Sequence, residues 1–256
     1  MAPQDLTCDR WYDGSLTLRQ PARGFRATTD AILLAAAIPL DVQHPLELGA
    51  GAGAVTIALA ARLPKLPITA IERDPDMAAL LARNAEDNGF SDRITIITSD
   101  ALLAKAPWHG RHDLVLANPP YNDISSSLSA NDHRKASMAA ADLGAWVMAS
   151  AGALAPKGRM VMISRADRLD EVLAALPPIF GDVSLRAIHS LPDAPASRVL
   201  ITARKGISGA LTMLPPLILR KDAENLTAEM DAISHHRAAI DLLPPGRNFG
   251  KVRLPY

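Results

Sequence analysis

Four consecutive residues, Asn118-Pro119-Pro120-Tyr121, close an apolar run, Asp113-Leu114-Val115-Leu116-Ala117. The run has the continuous character of a buried strand, and a pair of prolines must end it. Asn118 brings a side-chain amide, Pro119 a carbonyl whose neighbour Pro120 has no N–H, and Tyr121 an aromatic face. A planar amine, such as that of adenine or of a side-chain amide, needs two acceptors for its two hydrogens and a flat surface to lie against. The tetrad supplies both, so Asn118, Pro119, Pro120 and Tyr121 are the candidate catalytic residues. The plain alternative is a Pro-Pro turn after a strand.

A second chemical feature lies upstream, where Leu46-Glu47-Leu48 runs into Gly49-Ala50-Gly51-Ala52-Gly53. The glycines let backbone lie close against a nucleoside. This loop is ambiguous alone: Gly49, Gly51 and Ala54 also satisfy a dinucleotide fingerprint, and Glu72 falls about 20 residues further on, where a ribose-binding acid belongs. Three features favour S-adenosylmethionine over NAD. Glu47, two residues before the first glycine, can meet the positively charged methionine end of that cofactor. Asp100, after the next strand but one, can accept a hydrogen bond from an adenine amine. The tetrad follows the fourth strand, where a methyl acceptor would lie. Glu72 also reads as a surface acid at a strand end, and Ser99-Asp100 as the cap of a helix.

The elements that must position these groups follow from the pattern. Asp13-Gly14 followed by alternating Ser15 to Gln20 is a hairpin signal. Thr28-Thr29-Asp30 sits ahead of Ala31 to Ala37 as a capped helix that Pro39 ends. From Pro45 strands and helices alternate: strands over 46–48, 66–71, 94–98, 113–117, 159–164, 183–189 and 198–203, with helices to about Leu63, through Asn88 and near 139–154. Such alternation predicts an α/β fold, a Rossmann-like doubly wound, mostly parallel seven-stranded sheet with small N- and C-terminal appendages. Ligands in that architecture bind beyond the carboxyl ends of the strands, where the order reverses. Gly49 to Gly53, Glu72, Asp100 and Asn118 each follow a strand, so the fold should gather them. After Lys205 a strand over 211–219 and a helix over 226–237 are expected. The division is 1-40 for hairpin and covering helix, 41-205 for the catalytic domain and 206-256 for a C-terminal extension.

Bulk properties set limits. Of 256 residues 48% are hydrophobic, enough for a sizeable core, and only 4% are aromatic. The 27 basic residues balance 27 acidic ones, so a polyanion would have to be met by a local patch. Candidates for phosphate contacts are Arg19, Arg23, Arg26, Arg134, Lys135, Arg198, Arg247, Lys251 and Arg253. The single Cys8 fits a reducing compartment. Met1 to Arg10 carries no apolar signal-peptide core, and the longest apolar run, Ala31 to Leu40, is too short for a bilayer, so a cytoplasmic protein with no membrane partner is expected. His109, His112, His235 and His236 lack a completing thiol or carboxylate, so no metal is expected.

With tetrad and glycine loop together, the chain resembles the class I S-adenosylmethionine-dependent methyltransferases of the Asn-Pro-Pro-Tyr, amino-group type, over roughly Thr28 to Lys205. The segments Gly24-Phe25-Arg26-Ala27-Thr28-Thr29-Asp30-Ala31-Ile32-Leu33-Leu34 and Ala196-Ser197-Arg198-Val199-Leu200-Ile201 are similar to the bacterial enzymes that modify N6 of adenine 37 in a valine tRNA. The resemblance implies a tRNA anticodon loop as partner and a cofactor set of Thr29, Asp30, Glu47, Gly49, Ala50, Gly51, Gly53, Glu72, Arg73, Asp100, Ala101 and Asn118. In it Glu47 and the glycines line the methionine side, Glu72 holds the ribose, Asp100 the adenine, and the Thr28–Leu34 helix covers the cofactor, while Asn118 to Tyr121 hold the target base. The same tetrad also serves enzymes acting on protein glutamine amides or on guanine amines. A non-catalytic cofactor-binding RNA module is the alternative from another class.

Overall fold

The computed structural model describes residues 5–23, 26–120 and 142–244. A hairpin of β1 (Leu6–Trp11) and β2 (Leu16–Pro21) comes first, turning at Asp13-Gly14 as its sequence predicts. Helix α1 (Thr29–Ala36) starts where the Thr28 hydroxyl accepts the Asp30 N–H. The alternating part comprises β3 (Pro45–Leu48), α2 (Ala54–Arg62), β4 (Ile68–Glu72), α3 (Pro75–Asp87), β5 (Ile94–Thr98), β6 (His112–Ala117), α4 (Leu143–Ala153), β7 (Leu154–Arg165), α5 (Leu169–Ala175), β8 (Phe180–His189) and β9 (Ala196–Lys205). β10 (Thr212–Ile218) and α6 (Ala228–Ser234) follow. Helices α3, α4 and α6 open with side-chain caps: Asp74 accepts from the Asp76 N–H, Asp142 from Gly144 and Thr227 from Met230. Each satisfies a donor that the helix itself leaves orphaned.

The main sheet has the order β10-β8-β9-β7-β6-β3-β4-β5. It therefore holds eight strands rather than the expected seven. The run from β5 to β7 is parallel throughout; β9 is antiparallel to both β7 and β8, and β10 lies parallel to β8. The eighth strand carries Pro215-Pro216 at a break in register, which an edge position tolerates because one side of the strand has no partner to lose. Beyond Lys205 the chain is built into the body: Met230, Ile233, Ile240 and Leu242 are buried, and the Ile240 N–H donates to the Ala36 carbonyl. Helix α5 lies where no element was expected.

Side chains alternate across the sheet as a pleat requires. Leu114 and Leu116 of β6 join one core with α1, α2 and α6, while Val115 and Ala117 join the other with α4 and α5. The hairpin docks on α3 through two side-chain amides that imitate a neighbouring strand. Asn84 and Asn88 accept the Arg19 and Thr17 N–H groups and donate back to the same residues' carbonyls. Asn84 also donates to Ala52, tying hairpin and helix to the glycine loop. The strand order reverses at β3, which lies between β4 and β6. From β3 the chain adds β4 and β5 on one side, then returns from β5 to place β6 on the other, and a crevice opens at the carboxyl end of β3. Among the described residues no helix is long and apolar enough to cross a membrane.

Candidate active site

At the end of β3 the chain turns through Gly49, Gly51 and Gly53, with φ of 71°, 56° and 88°. This left-handed backbone is strained for any residue bearing a Cβ. The three positions differ in what surrounds them. A Cβ on Gly49 would stand 2.5 Å from Cη2 of Trp146, which α4 packs beneath the loop; one on Gly53 would fall 2.0 Å from Leu81 Cδ1. A Cβ on Gly51 would meet nothing within 4 Å. The two outer glycines are required by packing, and the middle one leaves space at the rim of the crevice.

Glu72, only 8% exposed, accepts the Gly51 N–H at 2.7 Å on one carboxylate oxygen and the Asp74 N–H at 2.8 Å on the other. It braces the loop and the entry to α3, and each oxygen keeps a further lone pair for a hydroxyl. This contact bears on the dinucleotide alternative. A pyrophosphate would need the loop N–H that Glu72 occupies, and it would face a carboxylate at that point. A nucleoside with a cationic tail has no such conflict, so the residues present fit S-adenosylmethionine.

Glu47 is buried on β3 and accepts the Thr56 hydroxyl hydrogen. Burial pushes its carboxyl up to about 8, opposed by the bond from Thr56 and aided by the nearby charge of Glu72. The expectation that Glu47 meets a cation therefore begins from a neutral acid at pH 7. Asp100 is exposed after β5 and accepts the Leu102 N–H at 2.9 Å, closing a turn rather than starting a helix. Ala101 is buried behind it, Arg73 is exposed after β4, and Ala50 is buried with its N–H on the Ile71 carbonyl. Thr29 is exposed at the start of α1; Asp30 is buried, its carboxylate 3.0 Å from the Arg198 guanidinium. That ion pair ties α1 to β9.

Across the crevice, β3 and β6 pair with Leu48 opposite Ala117, so Gly49 and Asn118 leave the sheet side by side. Asn118 Oδ1 is buried and has no hydrogen-bond partner among the described residues. Such an orphan costs about 1–3 kcal/mol, and here it holds an acceptor open at the edge of the crevice. Pro119 is buried and Pro120 half-buried; Tyr121 lies outside the described residues. Two contributors carried no signal in the sequence: Trp146 beneath Gly49, and Ser164 at the end of β7, whose buried Oγ also lacks a partner among the described residues. Their relevance comes from packing between segments far apart in the chain.

Among the described residues, three of the four basic side chains nominated for phosphate contacts are held by carboxylates. Arg19 pairs with Asp87, Arg26 with Asp9 and Arg198 with Asp30. Arg23 is exposed beside the hairpin, whereas Arg134, Lys135, Arg247, Lys251 and Arg253 lie outside the described residues. Among the described residues no three His, Cys, Asp or Glu side chains gather as a metal set.

The methyltransferase small domain family model matches residues 28–188. A Porphyromonas gingivalis protein named tRNA1(Val) (adenine(37)-N6)-methyltransferase is 32% identical over 211 residues, spanning 77% of this chain and 80% of that one. A crystal structure from Agrobacterium tumefaciens, described as a "predicted O-methyltransferase", is 31% identical with a TM-score of 0.71, covering 82% of this chain and 98% of that one. A Thermus thermophilus 16S rRNA methyltransferase acting at N2 of G1207, in complex with AdoMet and guanosine, shares the fold at TM-score 0.53 and 20% identity, over 78% of this chain and 50% of that one.

Proposed function

Since the chain belongs to the methyltransferase small domain family, we propose that it transfers a methyl group from S-adenosylmethionine to N6 of adenine 37 in a valine tRNA, in the cytoplasm. The observation that carries this reading is the unpartnered Asn118 Oδ1 at the switch point, next to the glycine loop. The P. gingivalis relative's name supports the choice of acceptor. The catalytic segment would be 41-205, framed by 1-40 and 206-256.

S-adenosylmethionine supplies an already activated methyl on a sulfonium, which leaves the chain the work of alignment. Gly49, Ala50, Gly51 and Gly53 would bring backbone against the nucleoside. Glu72 would offer its spare lone pairs to the ribose and Asp100 an acceptor to the adenine, with Arg73 and Ala101 flanking them. Thr29 and Asp30 begin the helix that would cover the methionine end above Glu47. The adenine amine is a weak nucleophile because its lone pair feeds the ring. Asn118 Oδ1 and the Pro119 carbonyl can accept its two N–H bonds, favouring a pyramidal nitrogen, and their dipoles stabilise the positive charge that grows there. Tyr121 would stack on a base swung out of its neighbours.

The description of the A. tumefaciens structure raises an oxygen acceptor. A hydroxyl must lose its proton to a base before or during transfer, and Asn118, Pro119 and Pro120 carry none. The positively charged nitrogen left by methyl transfer is acidic enough to give its extra proton to water, so the tetrad suits nitrogen. Glutamine amides and guanine amines meet the same two acceptors and are the runner-up substrates. The test is nucleoside mass spectrometry after incubating the protein with S-adenosylmethionine and tRNA lacking its modifications. New N6-methyladenosine is expected; bulk tRNA without any methylated nucleoside overturns the reading.

A further inference from the structure

Resting on the RNA reading above, we propose that Arg165 and Arg198 form a clamp for the RNA backbone phosphate that accompanies the target base. The placement follows from register. Leu116 of β6, Ile163 of β7 and Leu200 of β9 all enter the same core, so they share one face of the sheet. β6 pairs with β7 at Leu116↔Val161, and β7 pairs with β9 at Ile163↔Leu200. With a period of two, Asn118 continues the face of Leu116, Arg165 that of Ile163 and Arg198 that of Leu200. Arg165 and Arg198 stand directly opposite one another, about 7 Å further along the strands than the row containing Asn118. Each strand is spaced about 4.8 Å from the next. A nucleotide whose base reached Asn118 would carry its phosphate into this row.

Two arginines directly opposed on one ladder repel, which costs stability unless something else is gained. Both side chains keep more than a quarter of their surface in solvent, 28% for Arg165 and 29% for Arg198. Each is steadied by a carboxylate. Arg165 grips Asp167 with two N–H groups, and Arg198 holds Asp30 of the covering helix. Asp167 feels both guanidiniums: the hydrogen bond from Arg165 leads in holding its carboxyl below the usual range, and Arg198 adds to the effect. Asp167 is 59% exposed. An exposed ion pair of that kind contributes little to stability, so an incoming phosphate can take its place at little cost. The planar fork of arginine suits two phosphate oxygens at once. The same ladder carries a second arginine pair at its other end, Arg159 opposite Arg204. There Arg159 is sunk to 2% exposure against Asp182 and Thr202, and Arg204 donates to the Lys157 carbonyl. That pair lies at the edge away from Asn118 and serves as an internal control.

The experiment measures binding of an unmodified valine tRNA transcript by the full chain across a salt series. Arg165→Gln and Arg198→Gln are each expected to weaken binding about three- to tenfold and to flatten the log–log salt slope by about 0.7–0.9. Arg204→Gln should leave both unchanged. Asp167→Asn removes the competing carboxylate and should tighten binding about threefold, an effect that damage to the fold would not produce. S-adenosylmethionine affinity and melting temperature are read alongside, and Arg165→Gln should alter neither. Unchanged tRNA affinity and slope in both arginine variants, while the wild-type chain still methylates tRNA, overturns the clamp and leaves the function standing. Loss of cofactor affinity with an unchanged salt slope assigns the arginines to the cofactor and also overturns the clamp. A wild-type chain that neither binds nor methylates tRNA overturns both.

Discussion

The two walls of the crevice are built on opposite terms. On the side of β3, β4 and β5 the three candidate carboxylates are engaged by the protein: Glu72 holds two backbone N–H groups, Glu47 takes the Thr56 hydroxyl, and Asp100 closes its own turn. On the side of β6 and β7, Asn118 Oδ1 and Ser164 Oγ are buried with no partner among the described residues. The first wall is a finished cradle whose shape precedes any ligand. The second keeps buried polar oxygens unsatisfied among the described residues, and under the proposed function a substrate amine would satisfy Asn118. Shape and chemistry are divided between the walls, and substitutions should separate them.

The largest effect is expected from the open wall. Asn118→Ala should lower turnover on the order of a hundredfold or more, while calorimetry finds S-adenosylmethionine affinity little changed. It should also leave melting temperature the same or slightly higher, since an orphaned buried acceptor is gone. An equal loss of cofactor binding would erase the division.

The glycines test the cradle from within. Gly49→Ala combines a left-handed φ with a contact 2.5 Å from Trp146. Overpacking of this sort costs about 1–3 kcal/mol, enough to lower the melting temperature by roughly 5–10 °C. Gly51→Ala has open space around its Cβ, so only the backbone term of about 1 kcal/mol remains. Its melting temperature should drop by only about 2–4 °C, yet cofactor affinity should fall about tenfold because the methyl enters the space left at the rim. If Gly51→Ala proved the less stable variant, the account of the loop would fail.

Glu47 gives the smallest and most selective effect. Its carboxyl, pushed up to about 8 by burial, holds its proton in the folded chain at pH values where the unfolded chain has lost it. The unfolded state then binds fewer protons, so this group's contribution to stability is fully present below about pH 4.5 and is lost as pH rises through about 8. Glu47→Gln should flatten that part of the melting-temperature profile. In the wild type at neutral pH, a cation seated beside Glu47 must ionise it, releasing up to about one proton on cofactor binding. Calorimetry in buffers of different ionisation enthalpy measures this, and no release, or the same release in Glu47→Gln, would remove the residue from the cofactor's methionine end.

Much of the cradle is legible in the chain because its chemistry is local. Each candidate group follows the end of a short apolar run, and Gly49 to Gly53 spell out a turn that only glycine can make. The covering helix is marked by Thr28 and Pro39. The open wall is less legible. Asn118 is conspicuous, but nothing near it in sequence says that its oxygen lacks a partner. Arg19, Arg26 and Arg198 read as free cations until the fold brings Asp87, Asp9 and Asp30 to them. Arg165 gave no signal at all, since its counterpart is on another strand and meets it only through an antiparallel register. Helix α5 was hard for a different reason, since a helix of seven residues shows too little periodicity to stand out, and strand β10, expected over 211–219, carries nothing in its own sequence that says it joins the main sheet beside β8.

The amino-acid order alone therefore determined the alternation of strands and helices, the glycine turn and the tetrad at a strand end, because apolar periodicity and backbone restriction act over a few residues. Only the tertiary structure decided that the strand after Lys205 joins the main sheet, which glycines are locked by Trp146 and Leu81, which arginines are neutralised and which acceptor lacks a partner among the described residues. Those outcomes depend on what a side chain meets, and the residues it meets are distant in the chain.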